Sequence, residues 1–222
     1  MEKFKYETLL LTQLLLAVIS PVVDKLVDFR FILDIALSLV LAAAIYVISN
    51  TKKHFIIGMT LMLPSILLLW TGKILHSEII EMIAYTISLT FFCYVVYQIM
   101  KDIFSTRLVT FDIIAGGISV YFFIGNIWGI LYAIIARFDA GAFNIPEITQ
   151  VYLGDSIGEV GTAMYFSFVT LTTLGYGDIT PISPIARSLA YLEAAIGQIY
   201  LTVLIASLVG MHISKKTEGT SK

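Results

Sequence analysis

Thr172-Thr173-Leu174-Gly175-Tyr176-Gly177-Asp178 is the stretch on which the reading of this chain turns. Glycines at 175 and 177 accept backbone conformations that a Cβ resists, so successive carbonyls can turn toward one axis while Thr173 adds a hydroxyl below them. Such a row of oxygens can take the place of the water shell of a bare cation. An ordinary surface turn following two threonines would use the same residue types. A turn, however, has no need of long apolar segments on both sides, and this run has them.

Composition requires a membrane. Apolar residues make up 58% of the 222 residues and charged ones only 14%, with a mean hydropathy of +0.90; soluble domains carry roughly a quarter charged residues. Apolar windows long enough for about 30 Å of hydrocarbon fall at Thr8 to Val27, Phe31 to Ser49, Phe55 to Thr71, Ile79 to Met100, Val109 to Phe138 and Ala186 to Ile213. Gly161 to Leu174 is too short to cross, and irregular backbone at membrane depth is tolerated only under protein or water, which predicts a re-entrant loop. The first apolar stretch lacks the exit of a cleavable signal, and the single cysteine, Cys93, predicts no intrachain disulfide. A net charge of -2 says nothing of nucleic acid, and none is expected as a partner.

Set between these spans, Thr172 to Asp178 resembles the selectivity filter of tetrameric potassium channels, and Met164 to Leu171 resembles that family's pore helix. Thr180-Pro181 and Gly197 match its outer-mouth turn and inner-helix hinge glycine. The resemblance implies an all-α membrane protein of the six-transmembrane, voltage-gated-like superfamily, prokaryotic in type. Its parts would be a four-helix sensor-like bundle and linker over 1–108, a pore domain over 109–213 and a short cytoplasmic tail over 214–222. One pore loop cannot enclose an axis, so a homotetramer is expected. The filter would be Thr172, Thr173, Leu174, Gly175, Tyr176 and Gly177, with K+ held by main-chain carbonyls of Thr173, Leu174, Gly175 and Tyr176 and by the threonine hydroxyl. Potassium and membrane lipid are the expected partners, with no organic cofactor.

The same resemblance gives Asp178 a bracing role behind the filter, toward Tyr165 on the pore helix. Val169 stands where the family's usual acid precedes the filter, and Leu174 replaces the commoner valine; the second change leaves the ion-facing atom a main-chain oxygen. Gly197 is expected to be a gating hinge, with close helix packing beside Ala190, Ala194 and Ala195 as its rival. Thr202 is expected to face the cavity. Glu193 is an ionisable group inside a span, expensive there unless it faces protein or water; the expectation is a hydrogen bond behind the pore helix, as a further filter support, against a wetted carboxylate at the outer interface. Asp112, near a span end, is expected to reach the interface.

Placing both termini in the cytoplasm puts nine Lys and Arg inside and five outside, the distribution favoured for short loops. The loop from Asp139 to Val160 then reads as an extracellular turret carrying Glu147, Asp155 and Glu159, and the protein as a multi-pass cell-membrane protein. Ile79 to Met100, the fourth span, contains no Arg or Lys. One charge moved through the field is worth about 2.3 kcal/mol per 100 mV, so this span predicts voltage-insensitive conduction. His54, His76 and His212 lack metal-ligand spacing. With only a short polar tail after Ile213, no regulatory module is expected there.

The predicted function is passive, potassium-selective conduction. A nonselective or sodium-preferring pore would be expected had Tyr176 or Gly177 been replaced. A potassium-uptake transporter subunit would carry four such loops in one chain, and an enzyme would need a nucleophile with its base, a metal cluster or a phosphate loop.

Overall fold

A computed structural model describes residues 4–27, 32–49, 51–106, 109–146 and 160–220. Seven helices account for most of them: α1 Lys5–Val27, α2 Ile32–Ile48, α3 Lys52–Leu75, α4 Glu78–Ser105, α5 Phe111–Phe138, α6 Val160–Leu171 and α7 Pro184–Thr220. Two short strands, β1 Phe143–Asn144 and β2 Thr180–Pro181, pair antiparallel with Phe143 opposite Pro181. Among the described residues, α3, α4, α5 and α7 over Pro184–Met211 are long and apolar enough to cross a membrane. The expected six-span layout adds α1 and α2. At 12 residues α6 is too short to span, reaching about 18 Å at 1.5 Å per residue.

Helices suit these segments because backbone polar groups in hydrocarbon must find partners within their own segment. The same need disposes of the hydroxyls. Thr60, Thr86 and Thr90 donate to the carbonyls of Ile56, Met82 and Thr86 at 2.8, 2.9 and 3.0 Å, so each threonine is satisfied by its own helix. Thr51 caps α3, its Oγ1 accepting from His54 N at 3.3 Å, and His76 closes that helix in the left-handed region with φ 49°. Ser77 separates it from α4.

The chain packs as two compact units. The first comprises Met1–Phe122 and Val203–Lys222. Its most extensive contact is between α3 and α4, where Ser65 and Ser88 share a buried hydrogen bond of 2.5 Å and Leu69, Phe91 and Phe92 of the same helices are also buried. At the start of α1, Tyr6 N and Glu7 N donate to Asp112 Oδ1 at 2.8 and 3.2 Å. Lys5 Nζ and Tyr6 Oη both reach Asp102 Oδ2 at 2.8 Å. Asp112 thus accepts from two amides of the α1 first turn, which offers donors with no intrahelical acceptor. Its carboxylate is engaged by these amides, and the start of α5, up to Phe122, belongs to the first unit.

The second unit, Phe123–Thr202, holds every residue singled out for the conducting site. Behind α6, the rings of Tyr132, Phe143 and Phe166 meet edge to face at 5.0 to 5.7 Å, the arrangement favoured by ring quadrupoles. Ile182 N and Ser183 N donate to Ala142 O at 2.7 and 3.2 Å, fastening the backbone after β2 to the loop after α5.

Candidate functional site

The segment from Thr172 to Asp178 begins where α6 runs out of helix. Thr172 N still bonds Phe168 O at 3.1 Å and Thr173 N reaches Thr170 O at 2.9 Å, but Leu174 N and Gly175 N both turn back to Val169 O, at 3.0 and 3.3 Å. That carbonyl therefore satisfies two amides and holds the base of the segment to the helix end.

Above this point the backbone alternates. Thr173, Gly175 and Gly177 have φ of 58°, 59° and 79°, while Leu174 and Tyr176 keep negative φ. A β-strand sends successive carbonyls to opposite sides; reversing the sign of φ at every second residue brings them to one side, as a row of ion-facing oxygens demands. At two of these positions glycine removes the cost. Thr173 has no such relief, being β-branched, and residues held this way store roughly 1–3 kcal/mol that surrounding structure must offset. The sequence reading identified Thr173 by its hydroxyl and did not foresee its backbone conformation. That hydroxyl donates to Thr172 O at 2.6 Å.

The side chains of Leu174 and Tyr176 are 55% and 67% exposed in a single chain. Asp178, just beyond, accepts from Tyr165 Oη at 2.5 Å through Oδ2 and from Ile179 N at 3.0 Å through Oδ1. Arg187 Nε donates to Pro181 O at 3.1 Å, tying the start of α7 to the outer turn.

Glu193 is completely buried. Tyr132 Oη donates to its Oε2 at 2.6 Å, and Ser167 Oγ lies 2.5 Å from its Oε1 and 2.8 Å from Gly125 O. Helices α5, α6 and α7 therefore meet at this carboxyl. Ser167 and Tyr132 were not foreseen; the available signal was a serine in the middle of a short, largely apolar helix with an acid in the following span.

Gly197 also faces α6. A Cβ there would lie 2.5 Å from Leu171 O and 2.9 Å from Leu171 Cδ1, so close packing by itself demands glycine. The helix runs through it without interruption. Thr202 is exposed in the single chain and donates to Gln198 O at 2.8 Å. In the outer loop, Asp139 Oδ1 accepts from Gly141 N at 3.1 Å. Glu147, Asp155 and Glu159, the expected turret carboxylates, lie outside the described residues, as do Lys3, Arg30, Arg107 and Lys222 of the topology count.

Residues 108–213 match the ion channel family model. The chain is 40% identical over 62 residues to an inward rectifier potassium channel of Paramagnetospirillum magnetotacticum, covering 28% of this chain and 21% of that one. It is 35% identical over 71 residues to a voltage-gated potassium channel of Aeropyrum pernix, covering 32% and 24%. A probable potassium channel protein of Methanocaldococcus jannaschii is 43% identical over 67 residues, 28% of this chain and 20% of that protein. The chain thus spans about a fifth to a quarter of the length of these relatives. No solved structure gives a significant match. Together the matches make this chain similar to ion channels over residues 108–213 and, over part of its length, to potassium channels.

Proposed function

We propose that this chain is one of four identical subunits of a potassium-selective channel that conducts K+ passively and without steep voltage dependence. The observation carrying the reading is the alternation of φ from Thr173 to Gly177 on a segment left open in a single chain. One such segment offers carbonyls on one side only, and four around an axis would encircle a dehydrated ion. The exposure of α7 supports the same assembly, since 11% of its most apolar window is buried against 44% for α5.

In this reading, Thr172 to Gly177 form the filter, and carbonyls of Thr173, Leu174, Gly175 and Tyr176 with the Thr173 hydroxyl hold K+. Asp178, Tyr165 and Glu193 support it. Gly197 lets α7 approach the end of α6 and serves as the bend of the inner helix, and Thr202 lines the cavity. Six helices cross the cell membrane, both termini lie in the cytoplasm, and lipid surrounds the four-helix bundle. No organic cofactor is required.

Reconstitution in liposomes under opposed potassium and sodium gradients tests the reading. A reversal potential near that for K+, with a shallow conductance-voltage curve, is expected. Equal passage of Na+ would replace it by a nonselective pore, and absence of flux by a receptor or scaffold.

A further inference from the structure

The hydrogens around Glu193 do not balance if its side chain is a carboxylate. Tyr132 supplies one hydrogen, to Oε2. Ser167 has a single hydroxyl hydrogen, yet its oxygen lies 2.5 Å from Glu193 Oε1 and 2.8 Å from Gly125 O, two groups that only accept when Glu193 is ionised. One hydrogen shared between two acceptors leaves both contacts longer than a single good bond, and one given to Glu193 leaves two lone-pair oxygens facing each other at 2.8 Å. With one hydrogen on Oε1 the count closes. Tyr132 donates to Oε2, Glu193 donates to Ser167, and Ser167 donates to Gly125 O. Every contact then has a donor, an acceptor and a hydrogen.

The surroundings agree. Glu193 has no solvent exposure, and among the described residues no basic side chain pairs with it. An ionised carboxylate in such a place is far costlier than a neutral acid whose polar atoms are all hydrogen-bonded. From the geometry we infer that Glu193 is a neutral carboxylic acid whose proton completes a relay from α5 through α7 to α6 and back to α5, making it a positioning residue that pins the pore helix. The proton follows from the hydrogen count alone; its service to the filter rests on the channel reading above.

Infrared difference spectroscopy of the purified full chain in lipid, wild type against Glu193→Gln, tests the two parts separately. The carbonyl stretch of a protonated carboxylic acid is expected in the wild type and lost in the variant, whatever the protein conducts. A carboxylate band lost in its place would overturn the inference. Glutamine keeps the relay, its amide donating to Ser167 and its carbonyl accepting from Tyr132, so Glu193→Gln is expected to retain assembly and the wild-type ratio of K+ to Na+ flux. Glu193→Ala is expected to lose thermal stability and K+ flux together. Failure of the glutamine variant to assemble would also count against the proposal, because a neutral donor and acceptor is all that it assigns to this position. Ser167→Ala provides a second spectroscopic check: removing the acceptor of the Glu193 proton is expected to shift the acid band, and an unmoved band would overturn the relay.

Discussion

Tyr165 Oη donates to Asp178 Oδ2 across 2.5 Å, joining α6 to the first residue beyond Gly177. The bond closes a loop of thirteen positions whose other tie is the Val169 carbonyl, so the segment from Thr172 to Asp178 is braced at both ends by one helix. Hydrogen bonds to charged groups contribute about 1.5–3 kcal/mol. Tyr165→Phe is therefore expected to leave the fold in place and weaken the bracing by that order. A lower melting temperature for the K+-loaded protein and faster loss of K+ flux after activation would register it.

Gly177→Ala and Gly175→Ala force a Cβ onto backbone at φ 79° and 59°. Where the native φ is positive, alanine costs on the order of 1 kcal/mol per site or more, and the filter repeats that cost four times in the proposed tetramer. Loss of K+ flux, or loss of its preference over Na+, is expected in reversal-potential measurements. Within a single chain both positions have open space around the missing Cβ, so the cost inside each subunit is conformational rather than steric.

Gly197→Ala separates packing from bending. In a helix free of close neighbours, alanine would stabilise by about 1 kcal/mol. Against Leu171 O at 2.5 Å it must instead displace backbone, and overpacking of this kind costs about 1–3 kcal/mol. A fall in thermal stability is expected; a rise, with only the open probability altered, would assign the glycine to bending alone.

Asp112→Ala removes the acceptor shared by Tyr6 N and Glu7 N. Loss of a helix N-terminal acceptor costs about 0.5–2 kcal/mol. Faster hydrogen exchange at those two amides is expected, with α3 and α4 unchanged.

Voltage dependence can be checked on the wild type. With no Arg or Lys from Ile79 to Met100, and about 2.3 kcal/mol available per charge per 100 mV, a conductance-voltage curve much shallower than that of an arginine-bearing sensor is expected in patch recordings.

The apolar helices, the short helix α6 and the positive φ at Gly175 and Gly177 were legible in the residues. Hydrophobic length is a local property counted along the chain, and glycine at alternate positions marks backbone that cannot carry side chains. The partners of the buried polar groups were not legible. Ser167 and Glu193 lie 26 positions apart, Tyr132 and Glu193 61, and Tyr6 and Asp112 106. No periodicity links such pairs, and each becomes a hydrogen bond only when separate helices pack at one depth. Gly197 shows the same division in one residue: its lack of a side chain is written in the chain, but only the approach of Leu171 O decides that nothing larger fits.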